Sequence, residues 1–367
     1  MEALNDDALG LILLRVDSHV SLIRAAAVCR RWRGAIVDAV FLRRYRSLHA
    51  PAVPGHYHNG SWRQDTGPVF DPSSTSMVDP SHFSLDFLPD GAGPWFVVDS
   101  RGSLLLLCDN RSLGFGFPHM VVCEPLTRRF ESIPTLAEPM DMACTYLIDG
   151  VAIEAGGHIS MSNFRVLCLF QSDGVVRNSM LTAGPLWGEP NICHAMPNLD
   201  STISMGRAGG KRYFCINGST LVELDGSTGD FTSSVFPDIG CLDFNIGMCN
   251  FFVTQLQDGK PRIIAVVDIT LKVFVRRDNG EWALEKSVFL CKATSVLPGY
   301  KLCFFYHHQV ILTRGTRFII LSPLVEKTWP YSIDLETMEV KQATDDAGEI
   351  MYRSELPWPP DLHAHID

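Results

Sequence analysis

The sequence predicts a chain of α plus all-β class: a small helical module at the N-terminus, then an all-β body organised as a kelch-like β-propeller of about six blades. Three observations carry this. Helically spaced apolar residues are confined to the first fifty positions. Beyond them, short apolar runs alternate with clusters of Gly, Pro, Asn and Asp. A seven-residue turn pattern recurs far apart along the body. The expected boundaries are residues 1–49 for the helical module, 50–345 for the β body and 346–367 for a C-terminal tail.

From Leu4 the chain reads as helix. Asn5 caps it, Asp6 and Asp7 suit the positive end of the helix dipole, and Leu9, Ile12, Leu13 and Val16 keep helical spacing. The segment Val16-Asp17-Ser18-His19-Val20 interrupts this stripe. Ser21 is then expected to cap a second helix through Leu22, Ile23, Ala26 and Ala27, leading into Val28-Cys29-Arg30-Arg31-Trp32. A third helix carries Trp32, Ile36 and Val37, and Phe41-Leu42 closes the module. Arg43-Arg44-Tyr45-Arg46 is expected on a polar face, and Pro51 and Pro54 end the helical run. About three short helices bury little of their own surface, so their apolar stripes require something to pack against: a partner, or the chain's own body.

In the body, strands are expected at Trp95 to Val98, Leu104 to Cys108, Met120 to Cys123, Phe164 to Phe170, Tyr213 to Ile216, Ile263 to Val267, Val273 to Arg276, Lys301 to Tyr306 and Phe318 to Leu321. Ser172-Asp173-Gly174 and Asp278-Asn279-Gly280 read as turns. An acid, two residues, Thr, two residues and an apolar residue occur as Glu124/Thr127/Phe130, Asp225/Thr228/Phe231 and Asp334/Thr337/Val340. Each reads as a hairpin turn between outer strands. Their separation of about two fifty-residue units fits propeller blades, the alternative being an irregular β-sandwich.

The 367 residues are 46% hydrophobic and 20% charged, the balance of a folded protein. No apolar run approaches bilayer length and the acidic start is unlike a signal peptide, so the expectation is an intracellular protein of the cytoplasm or nucleus. The 11 cysteines include no Cys-x-x-Cys pair and lie within apolar stretches, as reduced core residues would. The net charge of -10 divides into +3 over residues 1–50 (8 Lys+Arg, 5 Asp+Glu) and -13 over the rest (23 and 36). An acidic body argues against nucleic acid or an anionic membrane as partner.

No catalytic constellation is present: no Gly-x-Ser-x-Gly elbow, P-loop, His-Glu-x-x-His or calcium loop. His56/His58, His307/His308 and His363/His365 lack a further ligand at suitable spacing, so neither metal nor other cofactor is expected. Gly206-Arg207-Ala208-Gly209-Gly210-Lys211 has the wrong glycine spacing for a phosphate loop and reads as a mobile or basic loop. Asn59-Gly60-Ser61, Asn110-Arg111-Ser112 and Asn217-Gly218-Ser219 match a glycan acceptor but read as turns.

The first fifty residues resemble the F-box in Leu4, Asp6, Asp7, Leu9, Ile12, Leu13 and Arg15, then Leu22, Val28, Cys29, Arg30 and Trp32, then Phe41 and Leu42. The family's Pro after the first Leu is Asn5 here, and Val16-Asp17 stands where Leu-Pro is usual. The resemblance implies a helical plug that binds a Skp-type adaptor and, through it, a cullin carrying the ubiquitin-transfer machinery. The residues it assigns to adaptor binding are Leu4, Asp6, Leu9, Ile12, Leu13, Leu22, Val28, Cys29, Trp32 and Leu42; Trp32 either fills the module's core or touches the adaptor.

Leu48-His49-Ala50-Pro51 with Gly55-His56-Tyr57-His58-Asn59 is similar to the start of the F-box-associated propeller of grass F-box proteins. Ser100 to Leu106, Asn279 to Trp282, Tyr331 to Met338 and Glu355 to Pro360 add to the resemblance. It implies a non-catalytic receptor that recruits an unknown protein substrate for ubiquitination. The alternatives are an interaction protein acting outside a ligase, and a propeller lectin or enzyme with an F-box attached.

Overall fold

The computed structural model describes residues 5–357 apart from 50, 60–66, 74–77, 92–94, 110, 112–116, 137–141, 150–158, 183–185, 241–249, 257–259, 303–308, 315–317, 324–328 and 344–350. Four helices come first, rather than three: α1 (Asp6–Leu13), α2 (His19–Val28), α3 (Arg30–Val37) and α4 (Ala39–Leu48). Asn5 caps α1, its Oδ1 accepting from the Ala8 amide at 2.7 Å. The second helix starts before Ser21, because Ser18 is extended and its Oγ accepts from the Ser21 amide at 3.4 Å. The unexpected α4 exists because Asp38 is a strong cap, its Oδ1 accepting from the amides of Val40 and Phe41 at 3.0 and 2.9 Å.

The strands then meander outward sheet by sheet. The first sheet holds β1 (Gly55–Asn59) and β2 (Pro68–Pro72). The second holds β3 (Trp95–Arg101), β4 (Leu104–Asp109), β5 (Met120–Glu124) and β6 (Arg129–Ile133), and the third β7 (Met142–Ile148), β8 (Arg165–Ser172), β9 (Val175–Leu181) and β10 (Asn191–Ile192). The fourth is β11 (Thr202–Ala208), β12 (Lys211–Ile216), β13 (Thr220–Asp225) and β14 (Phe231–Val235). The fifth is β15 (Asn250–Gln255), β16 (Pro261–Val267), β17 (Thr270–Arg276) and β18 (Trp282–Phe289), followed by the short α5 (Leu290–Thr294). The sixth is β19 (Gln309–Arg314), β20 (Phe318–Pro323), β21 (Tyr331–Asp334) and β22 (Val340–Gln342). Finally β23 (Met351–Ser354) pairs with β1, so the expected C-terminal tail supplies a strand to the first sheet. A four-stranded sheet hydrogen-bonded in chain order is a propeller blade; among the described residues the chain is a helical N-terminal region followed by a three-stranded sheet and five such blades, of β-propeller type.

Two compact units make up the chain, one of residues 1–172, 177–191 and 352–367, the other of residues 173–176 and 192–351. In the first unit, buried side chains of one sheet bond the backbone of the next. Asn59 on β1 spans Val97 on β3, its Nδ2 donating to the carbonyl at 3.0 Å while its Oδ1 accepts from the amide at 2.7 Å. Asp99 on β3 in turn accepts from the Leu147 amide on β7 at 2.8 Å. In the second unit, β11 and β15 meet directly, Gly206 registering with Val253. A Cβ at Gly206 would lie 3.0 Å from the Val253 carbonyl oxygen, and its φ of 109° is open only to glycine.

Strands β4 and β5 are buried along their whole length, which explains the unbroken apolar runs Leu104–Cys108 and Met120–Cys123. The three Thr turns join third to fourth strands of alternate blades: β5 to β6, β13 to β14 and β21 to β22. Asp225 Oδ1 accepts from the amides of Ser227 and Thr228, Asp334 Oδ1 from those of Glu336 and Thr337, and Thr127 Oγ1 donates to Glu124. The fifth position of each pattern is left-handed: Arg128, Gly229 and Met338. The expected strand Lys301 to Tyr306 lies mostly outside the described residues. The glycine-rich segment, expected as a mobile or basic loop, is the end of β11 and a tight hairpin turn into β12, with Gly209 and Gly210 at positive φ.

Candidate functional site

The helical module is held by one core: Leu9, Leu13 and Leu14 of the first turn-and-helix, Leu22 and Ala26 of α2, Ile36 of α3, and Phe41 and Tyr45 of α4. Leu9, Leu13 and Leu22 are at most 1% exposed, so each stabilises the module by roughly 1.5–3 kcal/mol of apolar burial. Their part in any docking is therefore indirect, through the shape of the module. Trp32 and Leu42 are half-buried against the same core. Tyr45, expected on a polar face, is wholly buried instead. Its hydroxyl donates to the Val16 carbonyl at 2.6 Å, which fixes the turn after α1, and its ring stacks on His49 at 4.2 Å between centroids and meets His19 edge-on.

His19 is buried at the start of α2; desolvation, then the nearby Arg46 and His49, push its pKa down to about 4, so it is neutral. The hydroxyl of Tyr45 is pushed up to about 12 by burial and by Asp17.

A different set faces outward. Ile12 is 51% exposed and Val28 65%, and Cys29 beside it is exposed. Val37 and Leu48, and also Leu11 and Val40, which sequence reasoning did not single out, are exposed. Six of the sixteen exposed large apolar side chains among the described residues thus lie in this short module. Arg15, Arg24, Arg30, Arg33, Arg43 and Arg44 of the module are exposed as well. Asp6 is exposed and pairs with Arg31 at 2.8 Å. Leu4 lies outside the described residues. Val28 is presented because α2 ends there: Cys29 turns fully extended (φ -162°, ψ 164°) and starts α3 without a side-chain cap.

Within the same unit the module is seated on the first two sheets. Val20 of α2 is 4% exposed and packs with Tyr57, Phe83, Trp95 and Leu356. Arg46 of α4 pairs with Glu355 at 3.5 Å, both mostly buried. The Glu355 amide donates to Gly102 and the Leu356 amide to Ala52, locking the segment after β23 in place.

Of the described cysteines, six are buried and Cys144 is half-buried; Cys29 departs from the expected core position. Burial pushes the thiols of Cys108 and Cys215 up to about 11 and that of Cys168 to about 12, which keeps them protonated. Among the described residues no three His, Cys, Asp or Glu side chains are grouped to share an ion. His56 is pushed down by desolvation on β1; the other two His pairs lie outside the described residues. Asn59 and Asn217 sit in structured positions, Asn59 buried and Asn217 in a left-handed turn. Among the described residues no helix is long and apolar enough to cross a membrane.

No protein-family model matches the chain. It is similar to the SKP1-interacting partner 15 of Arabidopsis thaliana, 31% identical over 107 residues, which is 27% of this chain and 28% of that protein. The similarity thus spans little more than a quarter of that relative's length. Among solved structures it is similar to the six-bladed propeller of Aleuria aurantia lectin (8% identity, 80% of this chain and 86% of that one, TM-score 0.39). It is also similar to YCF48 bound to D1 peptide (9%, 84% and 91%, 0.39) and to the β-propeller domain of Myceliophteria thermophila Cps50 (8%, 69% and 70%, 0.35).

Proposed function

We propose that the chain is the substrate-recognition subunit of a Skp–cullin–F-box ubiquitin ligase, working in the cytoplasm or nucleus. Residues 1–49 act as the F-box and dock a Skp-type adaptor, which brings the cullin; the β body captures the protein to be ubiquitinated. The observation that carries this reading is the number of outward apolar side chains, Ile12 and Val28 with Leu11, Val37 and Val40, on a basic module whose own core is already complete. Such a surface fits an apolar partner groove with acidic surroundings. The similarity to an SKP1-interacting partner supports the choice of adaptor.

The chain contributes no chemistry of its own. It acts by holding a substrate near a charged ubiquitin carrier, raising the effective concentration of the reacting groups. That requires a stiff joint between module and blades. Val20 and the Arg46–Glu355 pair provide one in the first unit.

The test is co-expression of the full chain with a plant Skp-type adaptor and a cullin. A stoichiometric ternary complex is expected, and one that assembles a ubiquitin-transferring ligase in reconstitution. Failure to recover adaptor with a folded chain overturns the reading.

A further inference from the structure

The outermost strand of a blade exposes a row of unpaired backbone groups, and such edges are normally protected by charge, proline or shortness. Four of the five outer strands of the four-stranded blades follow that rule, as does β2, one edge of the three-stranded first sheet. Strand β2 carries Pro68, Asp71 and Pro72; β6 carries Arg129 and Glu131; β18 carries Glu285 and Lys286; β10 has two residues, and β22 has three and carries Lys341. Strand β14 is the exception. Its five residues, Phe231-Thr232-Ser233-Ser234-Val235, hold neither charge nor proline. Thr232, Ser233, Ser234 and Val235 are exposed, Val235 to 82%.

The pairing register shows which backbone groups are open. Strand β14 pairs antiparallel with β13, Thr220 opposite Val235 and Leu224 opposite Phe231. The Asp225 amide donates to the Asp230 carbonyl, and the Phe236 amide to the Ser219 carbonyl, both at 2.9 Å. Since hydrogen-bonded pairs alternate along an antiparallel ladder, Thr232 and Ser234 also bond inward. The N–H and C=O groups of Phe231, Ser233 and Val235 therefore point away from the sheet.

Charge selects the occupant. From Ser219 to Gly240 there is no Lys or Arg, and the strand is flanked by exposed Asp230 and Asp238, with Asp225 in the turn before it. A second copy of β14 would set acid against acid at both ends of the pairing. An extended cationic segment would not.

We propose that β14 is the edge on which a partner protein adds an extended segment as a fifth strand, bonding Phe231, Ser233 and Val235. That segment is uncharged at its centre and carries Lys or Arg at its ends. The inference rests on the receptor reading above and names how a substrate is held: main-chain bonds supply affinity, and the flanking acids select basic ends.

The probe is a fluorescent peptide, acetyl-KVTVTVR-amide, titrated against the full chain by anisotropy, beside a version with Glu at both ends. Saturable binding that favours the basic-ended peptide is expected. Ser233→Pro removes an outward amide while leaving the inward ladder to β13 intact, and should weaken binding about tenfold at unchanged melting temperature. Ser233→Lys serves as a second variant that keeps the backbone donor but places a repelling cation on the edge. Equal binding by the parent and both folded variants, no saturable binding by the parent, or a dimer that Ser233→Pro dissolves would each overturn the proposal. Adaptor capture by the same variants separates the two readings: it should be unaffected, so its loss would count against the receptor reading and not against the edge.

Discussion

Replacing Asn59 by Ala would test how the blades of the first unit are joined. Asn59 is 7% exposed and is bonded by its side chain to both the amide and the carbonyl of Val97, a residue with no exposure at all. Alanine leaves that N–H and that C=O buried without the partner they have now, and each orphaned group costs about 1–3 kcal/mol. The expected loss is therefore about 2–6 kcal/mol. Asn59→Asp is more diagnostic. Ionised, its carboxylate still accepts from the Val97 amide but faces the Val97 carbonyl oxygen, so burial and that oxygen hold the folded-state pKa above the unfolded value. Between the two pKa values the folded state binds more protons than the unfolded, so the variant's stability falls as pH rises through this window and recovers on acidification, when the protonated acid donates as the amide does. Urea denaturation followed by tryptophan fluorescence, Trp95 lying on the same strand as Val97, reads both effects. An Asn59→Ala midpoint equal to that of the parent, or an Asn59→Asp variant whose deficit does not shrink at low pH, would refute the idea that side-chain bridges hold these strands.

Two further outcomes follow from buried charge. Glu223, 3% exposed on β13, pairs with Lys211 at 2.9 Å and with Arg276 of the next blade at 2.7 Å; Glu223→Gln should cost about 3 kcal/mol, the low end for a broken buried pair because both cations reach solvent. A melting temperature within experimental error of the parent would contradict this. His19 must charge when the module is acidified. Its folded pKa of about 4 lies below the ordinary 6.5, so stability is full above pH 6.5 and is lost as pH falls toward 4, by about 2 kcal/mol at pH 5. Adaptor-free chain should show this slope in denaturant midpoints, and His19→Leu should flatten it; an unchanged slope would place the acid sensitivity elsewhere.

The sequence made the blades legible through local chemistry. An acid, a Thr that bonds within the turn and one left-handed residue recur because the same hairpin recurs, and the three copies fall on alternate blades; Asp225 and Asp334 each accept two turn amides, whereas Glu124 accepts from the Thr127 hydroxyl. Long-range pairing left no such trace: nothing local to residues 351–354 shows that they join β1. In the helical module, Tyr45 was hidden by its arginine neighbours, and Asp38 was not read as a cap because no clear apolar stripe follows it. The family pattern does not separate Leu9, Leu13 and Leu22, which fill the core, from Ile12 and Val28, which face out; both sets are apolar. Helical spacing alone could have grouped Leu9 with Leu13, one turn apart, and set Leu11 aside.

The most direct test of the account is the affinity of the full chain for a purified Skp-type adaptor, measured by calorimetry for the parent, for Ile12→Asp with Val28→Asp, and for Val235→Asp. The parent and Val235→Asp should bind alike, whereas the double variant should lose binding while keeping its melting temperature, because Ile12 and Val28 lie outside the module's core. Undiminished binding by a folded double variant would contradict the assignment of this surface, and no binding by the folded parent would contradict the adaptor itself.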